Sequence, residues 1–215
     1  MNVFIIEANS PGDRTESLNE SDSLKTSICM YGHSVATFDV LTKGQLEETV
    51  DYIATISKED LLQPLVLHLS CHGNTDGLRI GKDDIDWHEL GSLIGSLFNP
   101  KFKDKVIFCL SACGTSGQKF TQMVKDTDKE LLNVLDPPAF LFVFDQKTVG
   151  WKDALISWSL FYHQIGKKRI TTASREDMMP IVDLINSTGI SKIVYYRWDK
   201  EKAAYLKYTG KKSKK

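Results

Sequence analysis

Leu65-Val66-Leu67-His68-Leu69-Ser70-Cys71 is an apolar run bounded by Pro64 on one side. On the other it breaks at once into His72-Gly73-Asn74-Thr75-Asp76-Gly77, a cluster of turn-forming residues. A short continuous apolar run between breakers reads as a central strand buried on both faces. Val106-Ile107-Phe108-Cys109-Leu110 repeats the pattern and ends in Ser111-Ala112-Cys113-Gly114-Thr115-Ser116-Gly117. Between the two, Leu78-Arg79-Ile80 reads as a small hairpin arm. Trp87–Leu97 reads as a helix, with Ile85 and Trp87 packing at its start. That helix supplies the crossover a parallel pair of strands requires.

The same alternation extends outward. Val3-Phe4-Ile5-Ile6 is a first strand, broken by Asn9-Ser10-Pro11-Gly12-Asp13 and followed by a polar helix to about Tyr31, where Gly32 stops it. Ser34–Leu41 is a second strand. From Lys43 to about Ile56 the apolar positions Leu46, Val50, Ile53 and Ala54 fall on one face of a helix. A helix from Gly117 to about Lys125 is expected, then a strand over Ala139–Phe144 and helices over Asp153–Ile165 and Arg175–Ser187. A last strand covers Ile193–Trp198. Residues 126–138, polar and closed by Pro137-Pro138, receive no assignment. Strands alternating with helices predict the α/β class with a mostly parallel sheet. A single domain over residues 1–206 is expected, followed by a basic, disordered tail at 207–215.

Basic and acidic residues nearly balance, 27 Lys+Arg against 28 Asp+Glu. Lys207, Lys211, Lys212, Lys214 and Lys215 lie in the tail, which leaves residues 1–206 with 22 basic and 28 acidic side chains. An acidic body lacks the basic field that phosphate binding needs, so no nucleic-acid partner is expected. No apolar run approaches the ~18 residues of a membrane span. Met1 to Glu7 has neither a basic n-region nor an apolar stretch of signal-peptide length, so no signal peptide and a cytoplasmic location are expected. In that setting Cys29, Cys71, Cys109 and Cys113 are expected as free thiols.

His72-Gly73 and Cys113-Gly114 close the two central strands. Ligands of open α/β sheets bind outside the carboxyl ends of strands. Parallel neighbours lie only ~4.8 Å apart, so two such ends can meet over one cleft. A thiol attacks as thiolate and has an ordinary pKa of ~8.5; a helix start beside Cys113 favours the anion. His72 can take its proton and return it to a leaving amine. Backbone N–H groups at these strand ends could form an oxyanion hole, worth ~2.7–4 kcal/mol per donor. The remaining candidates have plainer readings. His68 and Cys109 lie inside apolar strands, Cys71 alternates to the face opposite His72, and all three are expected in the core. Cys29 and His33 sit at a helix end, and His88 and His163 are expected as helix-surface or packing residues. Zinc held by His68, His72, Cys109 and Cys113 fails on distance. Four residues of strand span ~13 Å, whereas ligands lie ~2.0–2.3 Å from the ion. No cofactor or metal is expected.

His72-Gly73 followed by Leu110-Ser111-Ala112-Cys113-Gly114-Thr115 resembles the caspase-like cysteine peptidases of the caspase, gingipain and separase group. It is most similar to their CHAT-type branch. Asp76-Gly77-Leu78 and Trp87-His88-Glu89-Leu90 resemble that branch's arm and helix. Val149-Gly150-Trp151, Ala154, Phe161-Tyr162 and Gly166 resemble its segment after the fifth strand. The resemblance covers about residues 3–198. It implies a three-layer α/β/α sandwich with a mostly parallel six-stranded sheet, His72 as general base and acid, Cys113 as nucleophile, and an oxyanion hole at Gly73 and Cys113. Ser111 and Thr115 stand where caspases carry Gln and Gly, and only residues 126–138 could host an activating cleavage.

The resemblance further implies a cysteine endopeptidase acting on a protein or peptide substrate through a Cys113 thioester. An activating partner protein and a role as a regulated effector in microbial defence or cell death would fit it. The P1 side chain would meet the loop after the first strand and the end of the fifth, which places Asp13 and Asp145 as substrate-binding residues. Asp145 would favour Arg or Lys by charge-assisted pairing; Arg14, if turned inward, would favour an acid. Glu7 would be a minor participant or a solvated acid. Two rivals remain. One is a non-catalytic interaction module that pairs a partner along Ile193–Trp198 as an exposed edge. The other is a flavodoxin-like small-molecule or nucleotide binder, disfavoured because no G-x-G-x-x-G or P-loop follows a strand.

Overall fold

Each apolar run of the sequence becomes a strand of one sheet, and the amphipathic segments between them lie across its faces. The computed structural model describes residues 1–15, 19–56, 64–115, 117–127, 135–168 and 174–210, without the side chains of Pro11 and Arg14. Its elements are β1 (Asn2–Ala8), α1 (Pro11–Thr15), α2 (Glu20–Met30), β2 (Ser34–Asp39), α3 (Lys43–Ala54), β3 (Leu65–Gly73), β4 (Gly77–Ile80), β5 (Asp83–Asp86) and α4 (Trp87–Leu93). They continue with β6 (Val106–Ser111), α5 (Gln118–Asp126), β7 (Phe140–Phe144), α6 (Trp151–Lys168), α7 (Arg175–Ser187), β8 (Ile193–Asp199) and β9 (Ala204–Tyr208). The stretch expected to be able to host a cleavage, 126–138, lies for the most part outside the described residues, which omit 128–134.

The main sheet runs β2-β1-β3-β6-β7-β8-β9, and β4 and β5 form a hairpin on the end of β3. The first five strands are parallel; β8 and β9 are antiparallel. The sheet is therefore mostly parallel but has seven strands on its main path rather than six. The seventh, Ala204–Tyr208, reaches two residues into the expected tail. It also lies against β8, so Ile193–Trp198 is not an open edge.

Period-two alternation divides the core between the two faces. Leu67, Leu69, Phe108, Leu110, Leu141 and Val143 face α3, α4 and α5. Val66, Ile107, Phe142 and Phe144 face α2, α6 and α7, where Trp158, Phe161 and Tyr162 are buried. The result is a helix–sheet–helix sandwich. Side-chain caps satisfy the first free amides of several helices: Asn19 on α2, Thr42 on α3, and Asp86 with Glu89 in a capping box on α4. The single polar helix expected between Asp13 and Tyr31 is two, α1 and α2. Among the described residues, no helix is long and apolar enough to cross a membrane.

Chain order steps from β1 out to β2, then returns to place β3, β6 and β7 on the other side of β1. Strand order thus reverses between β1 and β3, and the carboxyl ends at that reversal are where α/β sheets bind ligands.

Candidate active site

β3 and β6 run in register with Ser70 opposite Ser111. Two residues further along each strand, on the same face, come His72 and Cys113. Both line one small cavity of about 40 Å³, with Phe144, Val149, Trp151 and Ala154 among its walls. The two strand ends are tightly apposed. A Cβ added at Gly73 would lie 3.0 Å from the Cys113 carbonyl oxygen and 3.1 Å from the Ala112 Cβ, so any larger residue would push its neighbours apart. Gly114 turns the chain away at φ +67°, with Asn74 close by, and donates its N–H to the Gln146 carbonyl.

The half-buried Cys113 sulfur contacts a single residue of the loop that follows β7. The Val149 N–H donates to Sγ at 3.4 Å, and the Cys113 thiol donates to the Val149 carbonyl at 3.5 Å. The loop is itself fixed: the Asp145 N–H donates to the Lys192 carbonyl and the Lys192 N–H to the Gln146 side chain.

His72 is half-exposed and stands edge-on to Trp151, with ring centroids 6.0 Å apart. Its Nε2 lies 2.9 Å from Asp13 Oδ2. The same oxygen accepts from the Ser10 N–H at 2.9 Å and from the Ser10 hydroxyl at 2.6 Å. Partial burial works to raise the Asp13 pKa. The bonds from Ser10 and His72 outweigh it, holding the carboxyl below the ordinary value. An ionised Asp13 can only accept, so Nε2 donates in this bond, and in the neutral form of the ring Nδ1 is the nitrogen with the lone pair. Asp13, expected to meet the substrate, bonds His72.

Asp145 is also spoken for. Lys192 Nζ lies 2.6 Å from one of its oxygens and Lys207 Nζ 3.3 Å from the other. It lines neither of the cavities that reach His72. The carboxylate expected to meet a basic P1 side chain is thus paired with two lysines. The side chain of Arg14 lies outside the described residues. Glu7 is buried, not solvated. Its carboxylate accepts from the Glu20 N–H at 2.7 Å and the Ser21 N–H at 3.1 Å, binding the first turn of α2 as an anion at a helix start does.

A second cleft of about 760 Å³ also reaches His72 and Gly73 and runs along the β4–β5 hairpin. Its acids are engaged locally: Asp84 with Arg79, Asp76 with Lys119, Glu89 with Lys43, and Asp86 as the α4 cap. Among the described residues, no group of three or more His, Cys, Asp and Glu side chains is placed to hold a metal ion.

Beneath the cavity lies a polar layer that sequence spacing does not assign to the site. Glu20, fully buried, accepts from the Ser70 hydroxyl at 2.5 Å and from the Ser111 hydroxyl at 2.9 Å. Burial lifts its carboxyl to about 7, against the pull of the two serines, and the nearby Glu7 charge adds to the lift. One layer deeper, His68 sits with Nδ1 3.0 Å from the Tyr162 hydroxyl and Nε2 3.8 Å from Glu20; burial drives its pKa down to about 3. Cys71 and Cys109 are core residues whose thiols burial pushes far up. Cys29 and His88 are exposed. His33 is partly buried, bonded to the amino terminus, and His163 packs edge-on against Tyr31.

In comparisons with known proteins, no family model matches the chain and no curated protein matches it.

Proposed function

We propose that this protein is a cysteine endopeptidase of caspase-like fold, closest to the CHAT-type branch, acting on a protein or peptide chain without a cofactor. The observation that carries the reading is the shared cavity: Cys113 and His72 face it from adjacent strand ends, and His72 is tied through its far nitrogen to Asp13. Nδ1 of His72 takes the proton from Cys113 Sγ, and the Asp13 carboxylate stabilises the imidazolium that forms. The thiolate adds to the scissile carbonyl, the new oxyanion turning toward the Gly73 and Cys113 backbone. His72 then gives its proton to the departing amine, and a thioester remains on Cys113. Water, deprotonated by His72, releases the acid product and restores the thiol.

The 40 Å³ cavity has room for a water molecule or a small group rather than a peptide. Substrate therefore has to approach from the larger cleft on the β4–β5 side, or the Val149 loop has to shift. An activating partner protein that moves this loop would fit the role of a regulated effector.

The test is labelling with a peptidyl acyloxymethyl ketone series carrying varied P1 residues, read by mass spectrometry, together with cleavage of a peptide library. Adduct at Cys113, lost in His72→Ala, and cleavage lost in Cys113→Ala are expected. If Cys113 is alkylated no faster than the exposed Cys29 across the series, including with cell extract added as a source of activator, the peptidase reading fails. The non-catalytic interaction module then takes its place.

A further inference from the structure

The register places Ser70 and Ser111 directly opposite each other, each two residues before a member of the His72–Cys113 pair. Both hydroxyls converge on one carboxyl group, that of Glu20. Glu20 is the first residue of α2, and its own N–H is held by the Glu7 carboxylate on β1. A single buried side chain thus ties the helix layer to two adjacent strands, immediately below the cavity. Backbone ladder bonds fix the register of β3 and β6, but beyond Ser111 the ladder stops. Past that point His72 pairs with Arg79 of β4 and the Gly114 N–H bonds Gln146, but the β3–β6 ladder no longer joins the two ends to each other, so their mutual spacing rests on the side chains beneath them.

We propose that Glu20 is a positioning residue for the Cys113–His72 pair, setting the spacing of the two strand ends by bridging the hydroxyls of Ser70 and Ser111. The proposal rests on the peptidase reading above. Glu20 does not reach the reacting atoms; it acts through the serines. Its requirement is geometric. A side chain at this position has to engage two hydroxyls at once, which Gln can do with its carbonyl and amide, and Ala cannot. A misplacement of about 1 Å in such a pair can cost up to about a hundredfold in rate.

The four cysteines provide the assay. Iodoacetamide labelling of the full chain, at about pH 6.5 and so below the ordinary thiol pKa of ~8.5, is followed at each cysteine by mass spectrometry. Exposed Cys29 gives the intrinsic rate, and buried Cys71 and Cys109 report unfolding. Glu20→Ala and Ser111→Ala are expected to lower the Cys113/Cys29 rate ratio, by roughly tenfold for the former, with Cys71 and Cys109 still protected. Glu20→Gln is expected to stay within about threefold of wild type. An unchanged ratio in Ser111→Ala overturns the proposal even if Glu20→Ala fails to fold. So does a Glu20→Gln variant that stays folded and is as slow as Glu20→Ala, because charge rather than the bridge would then be responsible. His72→Ala separates the two readings. If it leaves the ratio unchanged, the peptidase reading falls whatever Glu20 does. If it lowers the ratio while the Glu20 and Ser111 variants do not, only the positioning role falls.

Discussion

Asp13→Asn is the sharpest single-atom test of the site. An asparagine that turns its amide toward Nε2 demands a lone pair there and moves the ring proton to Nδ1, where it can no longer accept from Cys113. The Ser10 hydroxyl, which shares that position with Nε2, can accept from the amide in place of donating, while the Ser10 N–H loses its partner. Cys113 alkylation at about neutral pH is expected to slow at least tenfold, and the low-pH limb of its rate profile should disappear. A wild-type profile would remove Asp13 from the mechanism. His72 and Cys113 are legible in the sequence because a core strand rarely ends on a reactive side chain followed by glycine unless the chain turns there over a cleft. The part played by Asp13 is not legible, because spacing cannot show that α1 folds back over the end of β3. Glu20 is hidden for a related reason. An acid in the first turn of a helix ordinarily serves the helix dipole in water, and only the three-dimensional register reveals two serines waiting for it.

At the scale of elements, the last strand carries the clearest expectation. β9 covers the outer edge of β8 and anchors it through side chains as well: the Tyr205 hydroxyl donates to the Pro138 carbonyl at 2.9 Å and the Tyr208 hydroxyl to Asp183 at 3.0 Å. Lys207 adds its contact to Asp145. A chain ending after Lys202 loses these bonds and bares the β8 edge, a template for pairing with another chain. It is expected to lose about 2–3 kcal/mol in urea unfolding and to self-associate more than the full chain in sedimentation velocity. Equal stability and equal sedimentation would mean that β9 is dispensable. Buried elements are readable almost to the residue, as Arg175–Ser187 shows, because burial enforces periodicity. β9 is not, since Ala204 to Tyr208 is only partly buried and its lysine-rich continuation dominates the local composition. The pairing of Asp145 is hidden with it: without β9 in place, nothing in the sequence brings Lys207 beside that carboxylate.

For the whole molecule, the buried carboxyl of Glu20 makes stability depend on pH in a direction opposite to that of ordinary surface carboxylates. Glu20 lies among Glu7 of β1, Cys71 and His68 of β3, and Tyr162 of α6. A carboxyl with its folded pKa at about 7, above an unfolded value of 4.5, takes up a proton on folding. Its effect is absent below the unfolded pKa, lowers stability progressively as pH rises toward 7, and is complete above that. His68 works from the other side. Its folded pKa near 3, below the ordinary 6.5, removes stability as pH falls through that interval. Between about pH 4.5 and 6.5 the two slopes oppose each other, and the wild-type curve should be nearly flat with respect to this pair. Glu20→Gln removes one slope while keeping the hydrogen bonds. The variant should gain on wild type steadily from about pH 4.5 to about 7, by up to about 3 kcal/mol, and hold a constant margin above that. Urea unfolding of both chains at several pH values measures the difference directly. A margin that does not change with pH would mean that Glu20 stays ionised throughout, its burial compensated by the two serines alone. A margin confined to pH values above 7 would place its titration higher still and leave a protonated carboxyl bridging Ser70 and Ser111 at neutral pH.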